Sequence, residues 1–120
     1  HFVPLAGADL MSAAVNTARA EGGAIPVLPS GDVLRRSADG ELAGIAESLV
    51  RVQTPQAFRA QPLWQAYRAA ATVGFDGTDT SSCVERFTDL EVHAIAGSAE
   101  NFKVTFAHDV RVAERLLSLR

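Results

Sequence analysis

Residues 8–31, ADLMSAAVNTARAEGGAIPVLPSG, set an amphipathic segment directly against a short apolar run. Between Ala8 and Glu21 the apolar residues Leu10, Met11, Ala14, Val15 and Ala18 recur at helical spacing, an N-cap is expected near Asp9, and Gly22-Gly23 supplies the stop. The run from Ala24 to Leu28, AIPVL, is too short for a helix and leads into Pro29-Ser30-Gly31, the mark of a buried strand ending in a turn. A helix feeding a buried strand is the unit of an α/β layer.

Outward from this unit the alternation continues. Val33 to Val50 is polar, with Asp39-Gly40 at its middle, and predicts a β-hairpin too poor in apolar residues to bury itself. Such a hairpin is expected to protrude as an arm that packs on something else, and a partner subunit is one candidate. Past Thr54-Pro55, residues 58–71 predict a second helix with Leu63, Trp64, Tyr67 and Ala70 on one face. A loop with Gly74, Gly77 and two aspartates follows, and Asp79 is the expected N-cap of a short helix through Val84 and Phe87. Glu91 to Ala96 and Asn101 to Thr105 read as strands, and Thr105 as the N-cap of a last helix carrying Val110, Val112, Ala113, Leu116 and Leu117. The expected architecture is a sheet flanked by helices, with the hairpin standing off it.

Composition narrows the function. The 120 residues, 48% hydrophobic and 21% charged, suit one globular core, and no apolar run nears the ~20 residues of a membrane span. Eleven basic against 14 acidic residues give a net charge of −3, which offers no footprint for nucleic acid or an anionic membrane. The lone Cys83 excludes an intrachain disulfide and a cysteine zinc site, His1, His93 and His108 show no ligand spacing, and a cytoplasmic location is expected. Ten arginines accompany a single lysine, Lys103, which suggests that this ammonium is kept for its chemistry. Spacing alone reveals no catalytic motif.

Three segments in order carry more: QTPQAF at Gln53 to Phe58, GTDTSS at Gly77 to Ser82 and NFKVT at Asn101 to Thr105. Together they resemble the 2-C-methyl-D-erythritol 4-phosphate cytidylyltransferase family from about Leu5 onward, and ribitol-5-phosphate cytidylyltransferases share the outline. The resemblance implies a nucleotidyltransferase-like three-layer α/β sandwich, of which residues 1–120 are the C-terminal part, with 33–50 as a homodimerisation arm. It implies transfer of a cytidylyl group from CTP to a sugar-alcohol phosphate, with release of pyrophosphate and with Mg²⁺ assistance. The N-terminal nucleotide-binding half, with its glycine-rich loop and the metal ligands, is expected to lie outside this chain, which alone would then be inactive.

Carried over by motif, Thr54, Thr78 and Lys103 are implied contacts to the acceptor phosphate, with Asp79 ordering the loop. Two hydroxyls and an ammonium make a sound dianion clamp. The departures are specific. Ala46 stands where the family has an arginine that reaches the partner's acceptor phosphate, Asp32-Val33 replaces an aspartate-threonine pair, and Thr80 and Ser81 depart from the acid and alanine of the second motif. Arg35, Arg36 or Arg51 could restore the charge. The alternatives are a diverged or inactive assembly module and a transferase for ribitol phosphate or another polyol phosphate.

Overall fold

The computed structural model describes residues 4–31, 34–44, 49–76 and 80–120, with 34 and 35 described by backbone alone. Helix α1 spans Ala8–Glu21 and strand β1 Gly23–Pro29. Gly22 joins them at φ 123°, and a Cβ there would meet the Glu91 carbonyl oxygen at 2.9 Å, so glycine is required twice over. The expected cap near Asp9 is not made: Gly7 is the N-cap, without a side-chain hydrogen bond.

Strand β1 organises the sheet. Strands β4 (Val50–Val52) and β5 (Ala57–Phe58) lie end to end along one edge of it, both antiparallel, and β6 (Val92–Ala96) runs parallel along the other. Gly23, Ala24, Ile25 and Pro26 are all buried, so both faces of the sheet are covered at this end. Ala24 packs on Ala14 and Ala18 of α1, with Ile95 and Ala57 alongside.

The register along that edge contains a discontinuity. Val27 pairs with Val52 but Ala24 pairs with Ala57, so residues 53–56 stand opposite only Ile25 and Pro26. The surplus throws the Gln53-Thr54-Pro55-Gln56 segment outward as a wide bulge, with a cis Thr54–Pro55 peptide.

The hairpin forms. Strands β2 (Leu34–Arg36) and β3 (Leu42–Gly44) pair antiparallel in a sheet of their own. The Ser37 N–H donates to the Glu41 carbonyl at 2.9 Å, which leaves Ala38-Asp39-Gly40 as a three-residue loop with Gly40 at φ 90°. The Ser37 hydroxyl and the Glu41 N–H both bond the Asp39 carboxylate and lower its pKa. Val50, expected in the arm, belongs to β4 instead, and the Ser30 N–H bonds the Leu49 carbonyl at 3.2 Å, closing the base of the hairpin.

Helices α2 (Ala60–Val73) and α3 (Thr80–Phe87) pack on each other through Ala66, Ala70, Cys83 and Val84, with Leu63, Phe58 and Phe87 around them. The buried stripe of α2 is thus Leu63, Ala66 and Ala70. Trp64 and Tyr67, expected on that face, are exposed; the Arg68 guanidinium covers the Trp64 ring at 4.6 Å and the Tyr67 hydroxyl bonds Thr80 Oγ1 at 2.9 Å. Residues 101–105 form no ladder strand, contrary to expectation, and only Val104 makes a bridge. They lead to α4 (Ala107–Leu117), whose N-cap is Phe106 rather than Thr105. The Asp109 carboxylate accepts from the Phe106 and Thr105 N–H groups at 2.9 and 3.0 Å, which lowers its pKa.

Candidate functional site

The sheet topology brings two site-bearing segments together beside the middle and C-terminal half of β1. The bulge after β4 delivers Thr54 and the irregular segment after β6 delivers Lys103, and both line one cleft of about 490 Å³ with Leu28, Arg51, Gln53, Gln56, Asn101 and Phe102. Thr78 and Asp79 lie outside the described residues, as do Ala46, Asp32 and Val33.

The charge of the cleft is one-sided. Among the described residues Lys103 and Arg51 are its ionisable lining groups, and no carboxylate lines it. Arg51 pairs with Leu28 across the β1–β4 ladder, and both line the cleft, so Arg51 faces it by the pleat of the sheet. Among the described residues neither cation makes an ion pair. Of the three arginines that could restore a missing charge, Arg51 is therefore placed where it can act; Arg36 sits on β2 in the separate hairpin sheet.

Two side-chain amides tie the segments together. Gln53 Nε2 donates to the Ser98 and Asn101 carbonyls at 2.8 and 3.0 Å, and Gln53 Oε1 accepts from the Ser98 N–H at 3.1 Å. In the other direction Asn101 Nδ2 donates to the Thr54 carbonyl at 2.7 Å. Asn101 is only 2% exposed, and its Oδ1 is buried without a partner among the described residues. An unpaired buried acceptor costs about 1–3 kcal/mol, an unfavourable term sited beside the cleft.

The motifs point to Thr54 and Lys103, and Arg51 is one of three arginines the sequence offers for the missing charge, but Gln53 and Asn101 carry no functional expectation there. The signal was present, since Gln53 and Asn101 open the first and third motifs, but what they do becomes visible only when the chain closes on itself. At the other end of the sheet, His93 Nε2 lies 3.1 Å from Glu91 Oε2 and 3.7 Å from Glu21 Oε2, an exposed cluster that histidine spacing along the chain does not reveal.

Comparison with known proteins decides the lineage. The sequence pattern of the family described as 2-C-methyl-D-erythritol 4-phosphate cytidylyltransferase matches residues 3–119. The chain belongs to this family. A cytidylyltransferase of that name from Bacillus licheniformis is 43% identical over 105 residues, covering 86% of this chain and 45% of the relative. One from Geotalea uraniireducens is 36% identical over 118 residues, covering 97% and 49%. The chain thus spans about half the length of the curated relatives it matches. The crystal structure of the family member from Thermus thermophilus superposes with a TM-score of 0.84 at 28% identity, over 97% of this chain and 58% of that one. The expected nucleotidyltransferase-like α/β fold is therefore correct, and the family's cleft motifs sit in this chain on a bulge and a loop, not on regular strands.

Proposed function

We propose that this chain supplies the acceptor-phosphate side of a cytidylyltransferase that joins CTP to 2-C-methyl-D-erythritol 4-phosphate and releases pyrophosphate. The observation that carries the reading is the convergence of Thr54, Lys103 and Arg51 on one cleft whose described lining holds no carboxylate. An ammonium, a guanidinium and a hydroxyl suit a phosphate dianion, which they bind by charge-assisted hydrogen bonds. In the reaction an oxygen of that phosphate attacks the α-phosphorus of CTP, a new P–O bond forms, and the bond to the β-phosphate breaks. The part assigned to this chain is to hold the attacking group in place, since positioning and electrostatics dominate phosphoryl-type transfers.

The cleft does not fit Mg²⁺. That ion prefers carboxylate and water oxygens, whereas the charged lining groups described here are both cations. No step is assigned to a metal on this face.

Dimerisation through the hairpin is part of the same proposal. It rests on the β2–β3 ladder forming a sheet of its own, with its described side chains exposed. A cytoplasmic location is proposed from the buried free thiol of Cys83. Among the described residues no helix is long and apolar enough to cross a membrane.

The test is pyrophosphate release by the complete polypeptide with CTP and methylerythritol phosphate, and with ribitol phosphate in a parallel reaction. Release with the first acceptor supports the proposal. Release with ribitol phosphate alone transfers it to another polyol phosphate. Silence with both, at millimolar substrate, leaves the assembly-module reading.

A further inference from the structure

We propose that Gln53 is a positioning residue for the acceptor site, and that it acts by fixing Lys103 relative to Thr54. This inference rests on the acceptor-phosphate reading of the cleft.

Residues 101–105 run without a strand ladder, and a single bridge at Val104 is all the sheet-type pairing that holds the backbone beside the ammonium. Thr54 has the same difficulty, because it lies in the bulge where pairing with β1 is interrupted. Two polar groups on irregular backbone must nevertheless grip one small anion, and some other structure must set their separation.

Gln53 is placed to do this. Its backbone N–H donates to the Pro26 carbonyl at 2.8 Å, and on the other side of β1 the Gly97 N–H donates to the Val27 carbonyl at 2.9 Å. Gln53 and Gly97 therefore flank the middle of β1, and the Gln53 amide crosses to the Ser98 and Asn101 backbone beyond it. The crossing requires a residue without a side chain at its far end. A Cβ on Gly97 would overlap Gln53 Oε1 and come within 3.0 Å of the Val27 carbonyl oxygen. Asn101, buried and two residues before Lys103, then returns the tie to the Thr54 carbonyl at 2.7 Å. The span from Thr54 to Lys103 is thus closed by amide groups that match the backbone in both donor and acceptor sense.

The experiment compares Gln53→Leu and the milder Gln53→Met, each alone and combined with Lys103→Ala, in the complete polypeptide. Gln53→Met keeps the length of the side chain and loses its hydrogen bonds without adding charge, so it serves if the leucine variant fails to fold. The expected result is a rise of about tenfold in the KM for methylerythritol phosphate, with the KM for CTP unchanged. In the Lys103→Ala background the same substitution should add less than about twofold, because a residue that acts through the lysine has nothing left to position. Equal changes in both KM values, or an undiminished effect in the Lys103→Ala background, would overturn the proposal and leave Gln53 as a structural residue. Calorimetric titration with methylerythritol phosphate separates the two readings. If the wild-type protein binds and Gln53→Leu binds equally well, only the positioning role falls. If wild type does not bind at all, the acceptor-site reading fails and takes this inference with it.

Discussion

At the scale of single residues, Lys103 carries the largest expected effect. It brings an ammonium to a cleft with no carboxylate in its described lining, and removal of a charge-assisted contact to phosphate costs about 1.5–3 kcal/mol, or ~10- to 100-fold in affinity. Lys103→Ala should therefore raise the acceptor KM by that factor while the melting temperature stays near wild type, since the side chain is exposed; steady-state kinetics and a thermal melt check both halves. Arg51→Ala should weaken the acceptor too, by about 10-fold, because Arg51 is as exposed to screening as Lys103. Raised salt should shrink that difference, and an effect on the CTP KM instead would remove Arg51 from the phosphate side. Thr54 and Lys103 were legible in the sequence because each sits in a short motif. Gln53 and Asn101 were not, as their partners lie 45 to 48 residues away along the chain and meet them only through the register of β1 with its neighbours.

Among the elements, the helices show what periodicity can and cannot convey. Helix α1 was read to its observed ends because a helical apolar pattern and a double glycine agree there. Helix α2 was placed to within two residues, but its inward stripe was misassigned: alanines approach α3 closely, and the larger Trp64 and Tyr67 remain outside. Hydrophobicity marks an apolar face, and close helix packing selects for small side chains instead. The α2–α3 contact has Val84 at its centre, fully buried, so Val84→Ala should cost about 2 kcal/mol, read as a shift in the denaturant midpoint at constant m-value. At the start of α4 the capping role passes from the expected Thr105 to Asp109, whose side chain reaches back to two N–H groups. Because the folded-state pKa of Asp109 is lowered, its support for α4 is complete above the ordinary carboxylate range and is lost as pH falls through the depressed value. Asp109→Asn should lower stability at neutral pH and flatten the acid limb of a melting-temperature profile. A mutant whose profile stays parallel to wild type down to low pH would contradict that assignment.

For the molecule as a whole, sequence order and sheet order diverge at one place that matters. The alternation of helices and strands correctly announced an α/β sheet, but nothing in it showed that β4 and β5 share one edge of β1 with a surplus segment between them. Where the chain leaves the sheet depends on register, and register is set by contacts far apart in sequence. The hairpin turn was legible because Asp39-Gly40 is a local signal, whereas Val50, expected within the arm, pairs with Pro29 in the main sheet. Replacing residues 34–44 with a short Gly-Ser linker should leave the melting temperature of the complete polypeptide almost unchanged and convert dimers to monomers by light scattering. A dimer that persists would show that association uses another surface. The hydrogen bond from Ser30 to Leu49 at the root of the hairpin has a wider consequence. With its two stems fastened together there, everything distal behaves as an exchangeable cassette, and the entropic penalty for lengthening it grows only with the logarithm of its size. A longer or shorter insert would therefore leave the β1–β4 register in place, and with it the positions of Arg51 and of the bulge that follows it.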